Sequence, residues 1–228
     1  MLILFDIDQT LLSVRGAGMR ALGTAGSFLF GGRFETGTVD YAGRLDPLIV
    51  ADLLRANGLE PTADRVRSLR AAYAEAFAQE LDRLSREPTP LALPGATELV
   101  AALQREPGRT LGVLTGNYEE TGTAKLLAAG FDMSSFSILV WGDQSPHEPP
   151  HRDHLPGVAM ERWDESDPSR AVIIGDTPHD VRCARTNGMR CIAVTTGHSD
   201  AASLHDAGAD LVLESLEDTE GVIAWMGT

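Results

Sequence analysis

Short apolar segments alternate with longer amphipathic ones over much of the chain. The first apolar segment, Leu2–Phe5, ends abruptly at polar residues, which is typical of a strand that is buried on both faces of a parallel sheet. The segments 119–129 and 181–186 between later apolar runs are predicted as helices. This alternation predicts an α/β fold with a mostly parallel sheet and right-handed crossovers. The further predicted strands lie at 110–114, 136–141, 171–174, 191–194 and 210–213.

The stretch from residue 18 to residue 90 has a helical period instead. In the segment 69–84 the apolar side chains recur at three- and four-residue steps, as Leu69, Tyr73 and Phe77 show. Side chains with this spacing lie on one face of an amphipathic helix. A helical unit of about 70 residues therefore interrupts the α/β chain just after its first strand.

Prolines mark the point at which the chain returns from this helical unit: Pro88, Pro90 and Pro94. We assign residues 17–90 to an inserted helical domain, and residues 1–16 together with 91–228 to the α/β core. The expected fold class is α/β, with a Rossmann-like parallel sheet and a helical domain inserted after the first strand. A chain of 228 residues is long enough to bury a core in both units.

The charge balance excludes several classes of partner. The net charge is −14, which argues against a surface for nucleic acid or for an anionic membrane. No apolar stretch approaches ~18 residues, and Asp6 and Asp8 interrupt the first apolar run. We therefore expect no membrane span and no secretory leader, and we expect a cytoplasmic monomer or homodimer. An anionic substrate must be attracted by local groups.

Two residue types are scarce enough to constrain the chemistry. Cys183 and Cys191 are the only cysteines, on a predicted helix and the strand after it. We interpret them as buried free thiols in preference to a disulfide. Lys125 is the only lysine, and we expect its side chain to be solvated on the surface of its helix.

Polar clusters follow three of the predicted strands: Asp6 with Asp8, Thr115 with Asn117, and Asp176 with Asp180. Because the carboxyl ends of parallel strands lie at one edge of a sheet, where α/β folds bind ligands, we expect the three clusters to converge. Carboxylates that lie close together repel each other unless a cation or a shared proton offsets their charge. The residues alone therefore predict a site for a metal ion, a shared proton or both.

These clusters lie within three longer motifs, Asp6-Ile7-Asp8-Gln9-Thr10-Leu11, Leu114-Thr115-Gly116-Asn117 and Ile174-Gly175-Asp176-Thr177-Pro178-His179-Asp180. In order and spacing the motifs resemble the haloacid dehalogenase superfamily of phosphotransferases, and the helical unit lies where that family has its cap. The resemblance extends over essentially the whole chain and is closest to the phosphoglycolate-phosphatase-like members. It implies a Mg²⁺-dependent phosphatase that hydrolyses a small phosphorylated metabolite, phosphoglycolate- or sugar-phosphate-like, through an aspartyl phosphate.

The resemblance also implies a role for each acidic residue of the motifs. Asp6 would be the nucleophile, and Asp8 would be the general acid and then the general base. Asp6, the backbone carbonyl of Asp8 and the carboxylate of Asp176 would hold Mg²⁺. Asp180 would act on the metal through water, or would orient its neighbours.

The same motifs imply a set of substrate-binding residues. Thr115 and the backbone amides of Gly116 and Asn117 would bind the phosphoryl oxygens, together with Thr10. Thr115 and Asn117 also suit the N-cap of the following helix, and the two roles do not exclude each other. Arg44 lies in a segment that resembles the cap loop of related phosphatases. We interpret Arg44 as a substrate contact, with a salt bridge at a helix start as the alternative.

The chain departs from the family pattern at two positions. Gln9 stands where the family has glycine, which alters the loop geometry or projects an amide toward the site. The family's basic residue between the second and third clusters, usually lysine, is missing. Arg152 is the best substitute, because a guanidinium can bridge a carboxylate and a phosphate. The alternative for Arg152 is a position on a surface loop.

Two other functions remain open. A phosphomutase of the same fold would return the phosphate to its substrate, and the sequence does not separate it from a phosphatase. A relative that binds a ligand without turnover is the second, in view of Gln9 and the missing lysine. The dinucleotide-like pattern at 16–21 lies too far from the strand to be used as one, and the histidines near residue 150 fit no closed zinc pattern.

Overall fold

The structure, a computed structural model, describes residues 1–227. In this range the strands are β1 (Leu2–Phe5), β2 (Thr110–Leu114), β3 (Ile138–Val140), β4 (Ala171–Gly175), β5 (Arg190–Val194) and β6 (Leu211–Leu213). The helices are α1 (Ala17–Phe30), α2 (Asp46–Ala56), α3 (Ala63–Ser85), α4 (Ala96–Arg105), α5 (Glu119–Ala128), α6 (Leu155–Trp163), α7 (Pro178–Thr186), α8 (Ala201–Asp206) and α9 (Thr219–Met226). Short 3₁₀ turns lie at Met133–Ser135, Arg152–His154 and Pro168–Arg170.

The strands described within residues 1–227 form one parallel sheet in the order β3-β2-β1-β4-β5-β6. β1 lies between β2 and β4, and Phe5 at its end pairs with Val113 on one side and Ile174 on the other. This register brings the carboxyl ends of the three strands to one edge of the sheet, where α/β folds bind ligands. The predicted α/β fold is confirmed.

Both faces of the sheet are covered, which explains the unbroken apolar character of β1. Ile3 and Phe5 belong to an apolar cluster with buried side chains of α1, α3 and α4. Leu2 and Leu4 point to the opposite face and pack with side chains of α6 and α7. All four residues have no exposed surface, so β1 forms the centre of a three-layer core.

The helical insertion, residues 17–90, contains α1, α2 and α3 and lies between β1 and α4 along the chain. The predicted apolar face of α3 is confirmed, because Leu69, Tyr73 and Phe77 are all buried. They share an apolar cluster with Ala21 of α1. The insertion is therefore packed from its own helices and rests on the same side of the sheet as α4. Its status as a separate domain stays a prediction.

The prolines and histidines of residues 142–157 predict a loop, and this prediction is wrong at its end. A 3₁₀ turn forms at Arg152–His154, and α6 begins at Leu155. Pro156 lies in the first turn of α6, where a proline needs no hydrogen-bond partner and its fixed φ suits the helix. Proline and histidine in this stretch thus mark a helix start as well as a loop.

Two further expectations have a clear outcome. Cys183 and Cys191 are buried free thiols, as predicted. Within residues 1–227, no helix combines the length and the apolar character that crossing a membrane requires.

Candidate active site

Residues from all three polar clusters border a single cavity of about 260 Å³ at the carboxyl edge of the sheet. The cavity lies between that edge and the helical insertion, which contributes much of its wall. The cluster residues that border it are Asp6, Asp8, Thr115, Gly116, Asn117 and Asp176. The structure therefore brings together groups that are far apart in sequence. Thr10 is fully buried with an unpaired hydroxyl, and it does not border this cavity.

Arg152 is the cation at the base of the cavity. Its Nη2 donates to Asp6 Oδ1 at 2.9 Å and to Asp180 Oδ1 at 2.6 Å. The residue is only 4% exposed, which excludes the alternative of a surface loop position. Burial lowers the pKa of Arg152, but the carboxylates of Asp180 and Asp6 outweigh burial and raise it, so the guanidinium is permanently charged.

The backbone of Arg152 is held by side chains of α7. The Cys183 thiol donates to the carbonyl oxygen of Arg152 at 3.4 Å. Asn187, at the end of α7, donates to the carbonyl oxygen of Asp153 at 2.9 Å. The same helix carries Asp180, which Arg152 binds. Helix α7 therefore holds both the backbone of the 3₁₀ turn and the carboxylate partner of Arg152.

Asp176 is a buried carboxylate without a protein donor. It accepts no side-chain or backbone hydrogen bond that the structure shows within residues 1–227, and it is 4% exposed. Burial, with the nearby charges of Asp180 and Asp6, raises the pKa of Asp176 to about 8. Carboxylate oxygens of Asp6, Asp176 and Asp180 lie within 4.8 Å of one another. A group of hard oxygen ligands with unbalanced charge fits Mg²⁺.

Asp180 has both oxygens occupied by protein donors. Oδ1 accepts from Arg152, and Oδ2 accepts from the backbone N–H of Thr177 at 3.1 Å and from its hydroxyl at 2.6 Å. Thr177 in turn accepts from the Asp180 N–H, which completes a capping box at the start of α7. Each oxygen of Asp180 therefore already accepts from a protein donor, and Oδ1 binds Arg152 directly.

Lys125 corrects the expectation of a solvated side chain. It is 5% exposed, and its Nζ donates to Asp8 Oδ2 at 2.6 Å and to Asn117 Oδ1. Lys125 lies two turns into a helix that begins directly after the Thr115–Asn117 cluster, and helical side chains tilt toward the N-terminus. Its side chain therefore returns to the site. No local sequence signal distinguishes this lysine from a solvated one.

The polar cluster after β2 forms its own network. Asn117 Nδ2 donates to Asp8 Oδ2 and to Thr115 Oγ1, both at 2.8 Å. The N-cap alternative for Thr115 and Asn117 is wrong. The N-cap residue of α5 is Tyr118, and its side chain forms no capping hydrogen bond. Asp46 of the helical insertion supplies the acceptor, with its Oδ2 at 2.9 Å from the Tyr118 nitrogen.

Known proteins with similar sequences identify this arrangement. Residues 146–219 match a family model described as HAD-hydrolase-like. The probable phosphatase IndB of Dickeya dadantii is 27% identical over 224 residues, which make up 96% of this chain and 92% of that protein. A phosphoglycolate phosphatase of Nitrosospira multiformis is 30% identical over 165 residues, 72% of this chain and 68% of the relative. The chain belongs to the haloacid dehalogenase-like hydrolases. Its named relatives place it among the phosphatases of this family.

A solved structure gives the same fold for the hydrolase. CbbY from Rhodobacter sphaeroides, in complex with xylulose-1,5-bisphosphate, aligns with a TM-score of 0.73 and 22% identity, over 95% of this chain and 95% of that one. At this identity the likeness concerns the fold alone. It agrees with a parallel sheet that is flanked by helices.

The helical insertion of this hydrolase docks onto the loop after β2 by close backbone contact. The Asp46 nitrogen donates to the Gly116 carbonyl oxygen at 2.7 Å. A Cβ atom on Gly116 would lie 2.0 Å from the carbonyl oxygen of Arg44, so only glycine fits. Sequence reasoning missed Asp46, because a lone aspartate at a helix start is usually a cap for its own helix.

Arg44 and Gln9 are the remaining predicted features of the hydrolase. Arg44 borders the cavity, but its Nη2 also forms a salt bridge with Asp52 at 2.6 Å and its Nη1 donates to the Asp40 carbonyl oxygen at 3.1 Å. Both interpretations of Arg44 are therefore compatible with its position. Gln9 borders the cavity with a φ of 58°, the left-handed region that glycine adopts without strain.

Gly116→Ala is expected to loosen the contact between the helical insertion and the core. The added methyl group meets backbone, so the Arg44 segment must move, at a cost of about 1–3 kcal/mol. Thermal unfolding should show a lower Tm, and steady-state kinetics a higher KM. Gly157→Ala is the matched control, since a Cβ atom there meets nothing within 4 Å. An equal effect of the two variants would contradict the docking contact.

Asp46→Asn is expected to remove part of the pH dependence of stability. Burial raises the pKa of Asp46 to about 6, against roughly 4 in an unfolded chain. As the pH rises between these values the unfolded chain releases the proton and the folded chain keeps it. The free energy of unfolding of the native protein therefore falls over this window, by at most about 3 kcal/mol. Urea unfolding at pH 4 and pH 7 should show a smaller decrease for the variant, and equal decreases would refute this.

Proposed function

We propose that this hydrolase is a Mg²⁺-dependent phosphatase that acts on a small phosphorylated metabolite through a phosphorylated Asp6. The observation that carries the proposal is the buried Arg152 guanidinium, bound to Asp6 and Asp180 beneath a cavity that also receives Asp8. A carboxylate that is bound to a fixed cation can act as the nucleophile toward a phosphate ester, and a second carboxylate nearby can act as the general acid and base.

In the first step Asp6 attacks the phosphorus atom. A new bond forms between a carboxylate oxygen and phosphorus, and the bond from phosphorus to the leaving oxygen breaks. Asp8 gives a proton to that oxygen, so the alcohol departs without charge. Arg152 keeps the nucleophile in place and offsets negative charge that develops on the transferred group.

In the second step water attacks the phosphorus of the phosphorylated Asp6. Asp8, now ionised, accepts a proton from the water as the new oxygen–phosphorus bond forms. The bond between phosphorus and the Asp6 oxygen breaks, which releases phosphate and restores the carboxylate. Lys125 and Asn117 hold Asp8 Oδ2 from one side, and we assign them the positioning of this acid and base.

Asp6, Asp176 and the backbone carbonyl of Asp8 would hold Mg²⁺. The bound ion would neutralise negative charge on the carboxylates and on the phosphoryl oxygens. Asp180 contributes by orienting Arg152. Phosphoryl oxygens would bind to the Thr115 hydroxyl and to the amides after it.

We assign to the helical insertion the role of a cap over the site. It contributes the cavity wall opposite the carboxylates, and its segment around Asp46 docks onto the loop after β2. A cap in this position excludes bulk water and contacts the leaving group rather than the phosphate. We therefore propose that residues 17–90 form a cap domain that is distinct from the α/β core.

The experiment that tests the proposed function is phosphate release from a panel of phosphate monoesters, with Mg²⁺ and with a chelator. Release that stops with the chelator and resumes with added Mg²⁺ is the expected result. Analysis of the organic product separates hydrolysis from a mutase, because a mutase returns the phosphate to another position. No release from any monoester by folded protein would overturn the proposal.

A further inference from the structure

One part of the cavity wall is not used by the proposed chemistry. If the protein is the proposed phosphatase, this part receives the leaving group, and the inference below rests on that function. Most side chains here are apolar or aromatic, and they come from the first turn region and the helical insertion. The set is Val14, Met19, Leu22, Tyr41, Ile49 and Tyr73.

Every lysine and arginine that borders the cavity already has a carboxylate partner. His198 also borders the cavity, on the loop after β5, and its neighbour Gly197 lies against Asp176, where a Cβ atom would be 1.8 Å from Asp176 Oδ2. Within residues 1–227 the lysine and arginine pairs are Lys125 with Asp8, Arg152 with Asp6 and Asp180, Arg44 with Asp52, and Arg15 with Glu87. Arg15 is the weakest pair at 3.5 Å, but its Nε and Nη2 atoms are too buried for a ligand to reach. A carboxylate or a second phosphate on the leaving group would therefore find no unpaired lysine or arginine.

Negative charge is already present on this side of the cavity. Asp46 borders it, next to Asp8, and the chain as a whole carries a net charge of −14. An anionic leaving group would lose its hydration here and gain repulsion, which is costly without a partner. The wall thus selects against charge at the end of the substrate that carries no phosphate.

The volume limits the size of the leaving group. At about 260 Å³ the cavity is smaller than most ligand sites, which begin near ~300 Å³, and it must also hold the phosphoryl group. The Tyr41 hydroxyl donates to the Thr36 carbonyl oxygen at 2.8 Å, so its ring is what remains for contact. Tyr73 is 3% exposed. Room remains for one ring or a short branched chain.

We propose that the substrate is a phosphate monoester of a small, uncharged and largely apolar alcohol, of about one ring in size. Phosphorylated carboxylic acids and bisphosphates are disfavoured by the paired cations. This chain would then differ in substrate class from the phosphoglycolate phosphatases that it resembles in sequence.

The first test compares kcat/KM for benzyl phosphate, phosphoglycolate and fructose 1,6-bisphosphate, with Mg²⁺ and with a chelator. All three carry phosphate on an alkyl oxygen, so differences report on the cavity more than on the leaving oxygen. Benzyl phosphate should exceed the other two by at least about tenfold. Chelator-sensitive turnover with phosphoglycolate or the bisphosphate preferred would overturn this inference alone. No turnover of any of them, or of the wider panel, would overturn the proposed function with it.

The second test releases one cation from its partner. Asp52→Asn removes the carboxylate that binds Arg44 without changing a residue of the cavity wall. The ratio of kcat/KM for phosphoglycolate over benzyl phosphate should rise at least about fivefold. Asp64→Asn is the matched control, because Asp64 pairs with Arg67 on an exposed face of the same insertion. An unchanged ratio in Asp52→Asn would show that paired charges do not set the selection.

Discussion

Asp6→Asn is expected to abolish phosphate release, with kcat lowered by more than about 10⁴-fold. The amide has the shape of the carboxylate but cannot form the bond to phosphorus. Its oxygen can still accept from Arg152, which lies 2.9 Å away in the native protein. Burial raises the pKa of Asp6 to about 6, which means that the buried negative charge is unfavourable. The amide removes this electrostatic cost, so the free energy of unfolding of the variant should be at least that of the native protein.

The measurement for Asp6→Asn is phosphate release together with urea unfolding. Asp206→Asn, an exposed aspartate at the end of α8, is the matched control and should keep full activity. Acid quench of the native enzyme during turnover should also yield a chain that carries one phosphoryl group. Turnover retained by purified Asp6→Asn would remove Asp6 from the role of nucleophile.

Arg152→Ala is expected to lower both turnover and stability. Its removal leaves Asp6 and Asp180 buried without a cation, which costs about 3–5 kcal/mol, and the loss of its charge should lower kcat by at least about 10²-fold. Because Mg²⁺ would restore part of the missing positive charge, the loss of stability should be smaller with Mg²⁺ than with chelator. Arg152→Lys should recover part of both, since one ammonium cannot replace the guanidinium fork.

Urea unfolding with and without Mg²⁺, and kcat at saturating substrate, are the measurements for Arg152. Arg105→Ala is the control, because Arg105 is exposed at the end of α4 and its loss should change stability by less than about 0.5 kcal/mol. Near-normal turnover in folded Arg152→Ala would exclude Arg152 from the mechanism.

The fold and the convergence of the acidic clusters were predictable, because each depends on a local pattern. A buried strand that ends in carboxylates, as Leu2–Phe5 ends at Asp6, shows its direction and its edge in a few residues. The choice of Arg152 from a loop depended on the family resemblance, which implies a basic residue between the second and third clusters, and on the ability of a guanidinium to bridge a carboxylate and a phosphate.

Lys125 and Asp46 were not predictable from such patterns. Lys125 reaches the site because of the direction in which α5 leaves the strand, and a solvated lysine has the same local sequence. Asp46 acts on a backbone nitrogen of Tyr118, which belongs to a different part of the chain. Contacts of this kind depend on how helices and strands pack against one another, and the local hydrophobic pattern of the sequence contains no information about that packing.

Because the 3₁₀ turn is bound to α7, the position of Arg152 does not depend on the length of the loop before the turn. Arg152 is positioned by Cys183 and Asn187, and residues 146–149 of the preceding loop are exposed. Chain inserted at 148–149 keeps the contact between His147 and His154 of the turn, and it would lengthen the connection without moving the guanidinium. This stretch is therefore where a peptide tag, a fluorophore or a fused domain can be placed next to the active site of a working enzyme.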